Sequence, residues 1–172
     1  MKWKRGNMKQ EEVLADIREM FGNINFWLQF AEVKLAGLLA VNIALIISLL
    51  DNYINTLILI LIIVSSIIAL YGLKPNATLG KKVLLEKCTG IQPQEPNLLY
   101  YQHIVKYDKS RYVEELQKKY FENIQLSKIQ LDYIEEIWEN AKVTQYKYLV
   151  FNIALVVDII ALLGLIIVAF QA

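Results

Sequence analysis

Three long apolar segments that contain no lysine or arginine constrain this 172-residue chain more than any other feature. They cover residues 35–50, 56–73 and 148–170. A helix that crosses a bilayer needs about 20 mostly apolar residues, each adding about 1.5 Å. The first segment reaches that length if its helix begins near Ala31. The sequence therefore predicts transmembrane helices over residues 31–50, 54–73 and 148–170.

The basic residues support this prediction and indicate an orientation. Of the 18 Lys and Arg residues, six precede residue 35, twelve lie in residues 74–147, and none lies in residues 51–55. Loops rich in Lys and Arg stay in the cytoplasm, so we expect a cytoplasmic N-terminus, an outer turn at 51–55 and an outer C-terminus. A soluble bundle is the alternative, but its core helices would need a polar face, and these segments have none.

We expect an all-α membrane protein in four parts. Residues 1–30 form a cytoplasmic or interfacial amphipathic helix that Gly22 and Asn23 interrupt weakly, and residues 31–73 form a transmembrane hairpin. Residues 74–147 form a cytoplasmic segment that begins irregularly, with one helical turn near residues 83–87. It ends in a long helix over 110–147, capped by Ser110 and continuous with the third span at 148–170. Heptad spacing from Tyr120 to Tyr148 fits packing within one subunit or a seam between subunits.

Two polar residues lie deep inside the predicted spans. Asp158 is about 15 Å from the cytoplasmic end of its helix, and Asn42 about 12 Å from Lys34, so their depths match. A charged aspartate facing lipid costs about 2.5–3.5 kcal/mol. We therefore expect Asp158 to face protein and to hydrogen-bond Asn42, either as a clasp between helices or as part of a pore. Glu32 and Lys34, at the membrane boundary, are either simple interface anchors or part of a gating site.

No pattern of catalytic or metal-binding residues is visible in the sequence. His103 has no Cys, Asp or Glu at metal-ligand spacing, and phosphate loops and nucleophile motifs are absent. Cys88, on the expected cytoplasmic side, is expected to be a reduced thiol. The charge distribution shows no patch typical of nucleic-acid binding. We expect a protein that is not an enzyme, holds no metal and binds no nucleic acid.

The stretch A-E-V-K-L-A-G-L-L-A-V-N, residues 31–42, resembles the A-D-x-K-A-x-x-x-L-S-x-N signature of the Pycsar transmembrane effectors. Those are small bacterial antiphage proteins paired with a pyrimidine cyclase. Ala31, Lys34, Leu39 and Asn42 match the signature, and Glu32 replaces its aspartate. Leu35 and Ala40 depart from it. Residues 120–129 resemble the family's cytoplasmic helix, and the order of hairpin, cytoplasmic helix and last span covers nearly the whole chain.

The resemblance implies an effector of the bacterial inner membrane that senses a cyclic pyrimidine mononucleotide, cUMP or cCMP, made by a partner cyclase. The protein would then form a homo-oligomer among membrane lipids and breach the membrane. A cyclic monophosphate needs cationic donors and its base an aromatic ring, so the nucleotide-binding hypothesis names Lys34, Arg111, Lys118, Lys119, Tyr112 and Tyr120. The alternatives are a membrane-anchored helical scaffold and a constitutive small channel without a nucleotide ligand.

Overall fold

The computed structural model describes residues 10–50, 56–74 and 95–171, which form helices and no strand. The helices are α1 (Gln10–Leu50), α2 (Thr56–Leu73), α3 (Tyr101–Ile104), α4 (Lys109–Tyr120) and α5 (Lys128–Gln171). Of these, α1, α2 and α5 are long and apolar enough to cross a membrane, as predicted. The predicted outer turn at 51–55, the helical turn near 83–87 and Cys88 lie outside the described residues.

Helix α1 runs through Gly22 and Asn23 without a break. A single exposed glycine costs a helix only about 1 kcal/mol, and no proline removes a backbone donor. Buried residues recur at helical spacing on both sides of it, including Ile17, Ile24 and Ala31. No change of secondary structure therefore separates the N-terminal amphipathic segment from the first span.

The prediction of one helix over residues 110–147 is wrong, because α4 ends at Tyr120 and α5 begins at Lys128. Asn123 has a left-handed backbone with φ of 67°, which ends the helical path and which asparagine tolerates better than most residues. The Ser127 N–H then donates to Oε1 of Gln130 at 2.8 Å, and the Ser127 carbonyl accepts from Leu131. The bond to Gln130 is one half of a capping box, and a new helix starts here.

The prediction that Ser110 caps the helix is wrong, because the N-cap of α4 is Asp108. Its carboxylate accepts the backbone N–H of Arg111 at 2.9 Å and the hydroxyl of Ser110 at 2.8 Å. These hydrogen bonds, that from Arg111 first, lower the pKa of Asp108. Asp108 thus satisfies a backbone donor that the first turn of α4 leaves open.

The chain divides into two compact units, and α1 and α5 each contribute residues to both. Unit 1 comprises Met1–Leu28 and Lys87–Thr144. Its described part holds α3, α4 and the N-terminal portions of α1 and α5 around an apolar core. Trp138 donates its indole N–H to the Tyr107 carbonyl at 2.9 Å, and Asn140 donates to Asn25 at 2.9 Å. The fully buried residues of this core include Val13, Ile17, Leu98, Ile104, Tyr112, Leu116, Phe121, Ile134 and Ile137.

Unit 2 comprises Gln29–Glu86 and Gln145–Ala172, and its described part is built from the three apolar helices. One core cluster contains Leu35, Ala69, Tyr146, Val150 and Ala154. A second contains Leu49, Ile58, Ile62 and Ala161. Large apolar side chains also cover its outer surface, among them Val41, Ile47, Ile60, Ile67, Leu163 and Ile166. An apolar surface outside an apolar core suits a lipid solvent, which fits three helices long and apolar enough to cross a membrane.

Candidate functional site

A buried polar cluster of Asn42, Ser65 and Asp158 lies inside unit 2, one residue from each of α1, α2 and α5. The Asn42 side-chain amide donates to Ser65 Oγ at 3.1 Å and to Asp158 Oδ2 at 3.2 Å. Asn42 is 1% exposed, Ser65 0% and Asp158 5%. The predicted hydrogen bond between Asn42 and Asp158 is therefore present, within a single chain. Ser65 was not predicted, although it joins the second helix to the other two.

Ser65 also brings the backbones of α2 and α5 close together. Its hydroxyl donates to the Ala154 carbonyl at 3.0 Å, and the nearby Ala69 and Ala154 are fully buried. Small residues let transmembrane helices approach closely, and hydroxyl groups add hydrogen bonds where apolar burial supplies no net driving force. The serine pair at 65–66 was the available sequence signal for this contact. Only the structure tells the two serines apart, because the Ser66 hydroxyl donates to the Ile62 carbonyl of its own helix.

Two oxygen atoms of the cluster have no hydrogen-bond partner among the described residues. They are Asn42 Oδ1 and Asp158 Oδ1, each almost wholly removed from solvent. Most buried polar atoms in proteins are hydrogen-bonded. Two unpartnered oxygens in one cluster therefore indicate that a hydrogen-bond donor or a bound group is missing there.

A second polar connection of unit 2 centres on Lys147, which lies near the start of the third span. Its ammonium group donates to the Gly72 carbonyl at 3.0 Å and pairs with Glu32 at 3.1 Å. The Lys147 side chain is 3% exposed and that of Glu32 46%. Gly72 is one of the last residues of α2, where carbonyls lack helical partners and the helix dipole favours a cation. Lys147 therefore links α1, α2 and α5, a role that the sequence did not suggest.

Gly72 also sets how closely the helices approach beside Lys147. A Cβ atom there would lie 2.8 Å from Val150 Cγ1 and 3.1 Å from Leu35 Cδ1. Both distances are shorter than ordinary van der Waals contact, so only glycine fits this position without movement of its neighbours.

Lys34 faces aromatic rings of unit 2. Its ammonium group lies 4.8 Å from the ring centre of Phe30, 5.2 Å from that of Tyr148 and 5.6 Å from that of Phe151. Cation–π contacts of this kind hold a lysine at the edge of an apolar region. This environment fits the interface anchor that the sequence suggested.

The other residues of the nucleotide-binding hypothesis lie on α4 in unit 1. Arg111 and Lys118 are exposed and seven residues apart, which places them on one face of the helix. Lys119 donates to the Pro96 carbonyl at 2.9 Å, and its ammonium lies 5.7 Å from the ring centre of Tyr120.

The prediction that a base stacks on Tyr112 is wrong, because Tyr112 is 0% exposed. Its hydroxyl donates to the Leu98 carbonyl at 3.0 Å, and burial raises the pKa of Tyr112 well above its ordinary value. The phenol is therefore a neutral part of the core. Tyr120, in contrast, is only half-buried.

His103 lies on α3 and packs within unit 1. Its Nδ1 accepts the backbone N–H of Asn97 at 3.0 Å, and its ring contacts Tyr100 edge-on. Among residues 10–50, 56–74 and 95–171, no group of three or more His, Cys, Asp and Glu side chains could hold a metal ion.

The sequence matches the model of a known protein family over residues 16–172, and that family is described as the Pycsar effector protein domain. The match covers all of unit 2, unit 1 from residue 16 onward, and all the residues of the two polar connections. No curated protein and no solved structure matches the chain.

Proposed function

Because the chain belongs to the Pycsar effector protein domain family, we propose that it breaches the bacterial inner membrane when a cyclic pyrimidine mononucleotide binds it. The family is one of membrane effectors and links the chain to cyclic pyrimidine nucleotide signalling. The nucleotide, cUMP or cCMP, comes from a partner cyclase. Three helices of spanning length packed around buried polar side chains carry the proposal, since a simple membrane anchor needs no such groups.

Unit 1 is the cytoplasmic sensor and unit 2 the membrane part in this proposal. The excess of Lys and Arg in residues 1–34 and 74–147 supports a cytoplasmic N-terminus and an outer C-terminus. Within unit 2, Asn42, Ser65, Asp158, Glu32 and Lys147 hold the three helices in a closed arrangement. Nucleotide binding favours an open arrangement in which several copies assemble and the polar groups become wet.

For the nucleotide phosphate we propose Arg111 and Lys118, whose exposed side chains share one face of α4. A guanidinium and an ammonium group together suit a cyclic phosphate. The half-buried Tyr120, beside Lys119, supplies an aromatic ring for the base. Lys34 and Tyr112 are not part of this proposed site, because Lys34 contacts aromatic rings of unit 2 and Tyr112 is buried in the core of unit 1.

Leakage of a dye from vesicles that contain the purified protein tests the function. We expect leakage with cUMP or cCMP and none with a cyclic purine nucleotide at the same concentration. Leakage without nucleotide would instead identify a constitutive channel, and no leakage under any condition would favour a scaffold.

Thermal unfolding tests the binding residues separately. Arg111→Ala with Lys118→Ala should abolish the stabilisation by the active nucleotide. Lys128→Ala, which changes an exposed lysine at the start of α5, should retain it. Equal loss in both variants would refute the assignment to α4. Crosslinking in the same vesicles should show larger assemblies only with nucleotide.

A further inference from the structure

The polar cluster of Asn42, Ser65 and Asp158 has too few hydrogen-bond donors for its acceptors. Both N–H directions of the Asn42 amide are used, one toward Ser65 Oγ and one toward Asp158 Oδ2. The single hydroxyl proton of Ser65 goes to the Ala154 carbonyl. Asn42 Oδ1 and Asp158 Oδ1 therefore have no donor within the described residues. Buried acceptors of this kind are rarely left unpaired, so the cluster lacks a donor for these two oxygens.

Asp158 also lacks a countercharge. Among residues 29–50, 56–74 and 145–171 of unit 2, the basic residues are Lys34, Lys74 and Lys147. Along its own helix, Lys147 is eleven residues away, or about 16 Å, and it is bonded to Glu32 and Gly72. Lys34 is eight residues from Asn42, about 12 Å, and Lys74 nine residues from Ser65, about 13 Å.

The polar groups that the other two helices contribute to the cluster are neutral. Asn42 on α1 bonds the carboxyl group directly, and Ser65 on α2 bonds Asn42. An ionised carboxylate at this depth would therefore be buried and unneutralised, which is among the costliest arrangements inside a protein in a bilayer.

We propose that the cluster is a proton-binding site and that Asp158 carries the proton in this packing. One proton on Asp158 Oδ1 supplies both missing elements. It removes the negative charge, and it adds a hydrogen-bond donor to a cluster that holds two buried oxygens without one.

A bridging water molecule or a sodium ion explains the cluster less well. Water could donate to both unpartnered oxygens, but the negative charge would remain. A sodium ion would neutralise the charge, but the Asn42 amide points an N–H, not its oxygen, at Asp158 Oδ2. A proton requires no change in that hydrogen bond.

Proton binding goes beyond the proposed function, because it concerns the closed packing without nucleotide. In that packing the neutral acid lets three apolar helices close around it. When the helices separate and water enters, the proton can leave, and the remaining charge opposes reclosure.

Infrared difference spectroscopy of the purified protein at neutral pH, without nucleotide, tests the proposal. Wild type minus Asp158→Asn should show the C=O stretch of a protonated carboxyl group, because asparagine is a neutral substitute of the same size. Asp132→Asn, at an exposed aspartate of α5, is the control and should remove carboxylate bands only. Failure of nucleotide-dependent leakage would not affect this result.

Three outcomes decide the proposal. A protonated-carboxyl band that is lost only in Asp158→Asn supports it, and Asp158→Asn should then remain folded by circular dichroism. Carboxylate bands alone at Asp158 overturn it. Bands at Asp158 that change when sodium replaces a large organic cation at constant pH would also overturn it, in favour of a sodium site.

Discussion

Replacing Glu32 with alanine should destabilise the membrane unit more than replacing Lys147 with methionine, although Glu32 is much the more exposed of the two. Alanine at 32 leaves the ammonium of Lys147 buried, with only the Gly72 carbonyl as a described partner. Removing one member of a buried pair costs about 3–5 kcal/mol; because Glu32 is half exposed and the carbonyl contact remains, we expect the low end of that range, about 3 kcal/mol. That corresponds to a factor of more than 100 in the equilibrium constant of unfolding.

Methionine at 147 removes the charge and keeps an unbranched apolar chain in the same space. Glu32 is then left without its partner, but it is about half exposed and can be hydrated. The loss is mainly one charge-assisted hydrogen bond to Gly72, worth about 2 kcal/mol. Once Lys147 is gone, changing Glu32 as well should cost almost nothing more, so the double variant should resemble Lys147→Met.

Equilibrium unfolding in mixed detergent micelles, followed by circular dichroism, measures these differences in a double-mutant cycle. The strong coupling expected between residues 32 and 147 appears as non-additivity of about 3 kcal/mol. Equal costs for the two single variants, or costs that simply add in the double variant, would refute the argument that the buried ammonium depends on Glu32.

Other substitutions test separate parts of the structure. Gly72→Ala should cost about 1–3 kcal/mol in the same unfolding experiment because its Cβ meets Val150, whereas Gly37→Ala, with nothing within 4 Å, should be neutral or slightly stabilising; equal effects would contradict the close approach. Ser65→Ala should cost about 1–2 kcal/mol by removing a buried hydroxyl that bonds two helices, and a neutral result would count against it. Tyr112→Phe should cost about 1 kcal/mol at neutral pH. Because burial raises the pKa of Tyr112, its contribution to stability is full below about pH 10, the ordinary pKa of tyrosine, and is lost as the pH rises toward the folded pKa. Wild type should therefore lose more stability than Tyr112→Phe between about pH 9 and about pH 11, one unit on either side of the ordinary pKa.

The membrane helices were predictable because they depend on composition and length alone. The contact between Asn42 and Asp158 was predictable too, since helical rise gives each residue a depth and polar groups at equal depth in a bilayer seek each other. Ser65 and Lys147 were missed for a geometric reason. Which serine faces a neighbour, and which lysine turns inward, depends on the rotation of each helix about its axis, and the sequence does not specify it.

The break between α4 and α5 was missed because it contains neither proline nor glycine. Two signals were nevertheless present. Asn123 is one of the few residues that readily take a left-handed backbone, and Ser127 with Gln130 matches a capping box. The apolar spacing continued across the break and concealed it, since Phe121 and Ile134 are buried on either side.

The arrangement of contacts in unit 2 makes its two ends unequal. From Lys147 to Asp158 the helices are joined by directional bonds, whereas beyond Asp158 the core cluster is Leu49, Ile58, Ile62 and Ala161. An open groove of about 330 Å³ runs between α2 and α5 at that end, beside Gly164. Lipid tails compete well with such aliphatic contacts, because they offer the same dispersion attraction. The three helices should therefore separate first at this far end, while the polar cluster still holds them together.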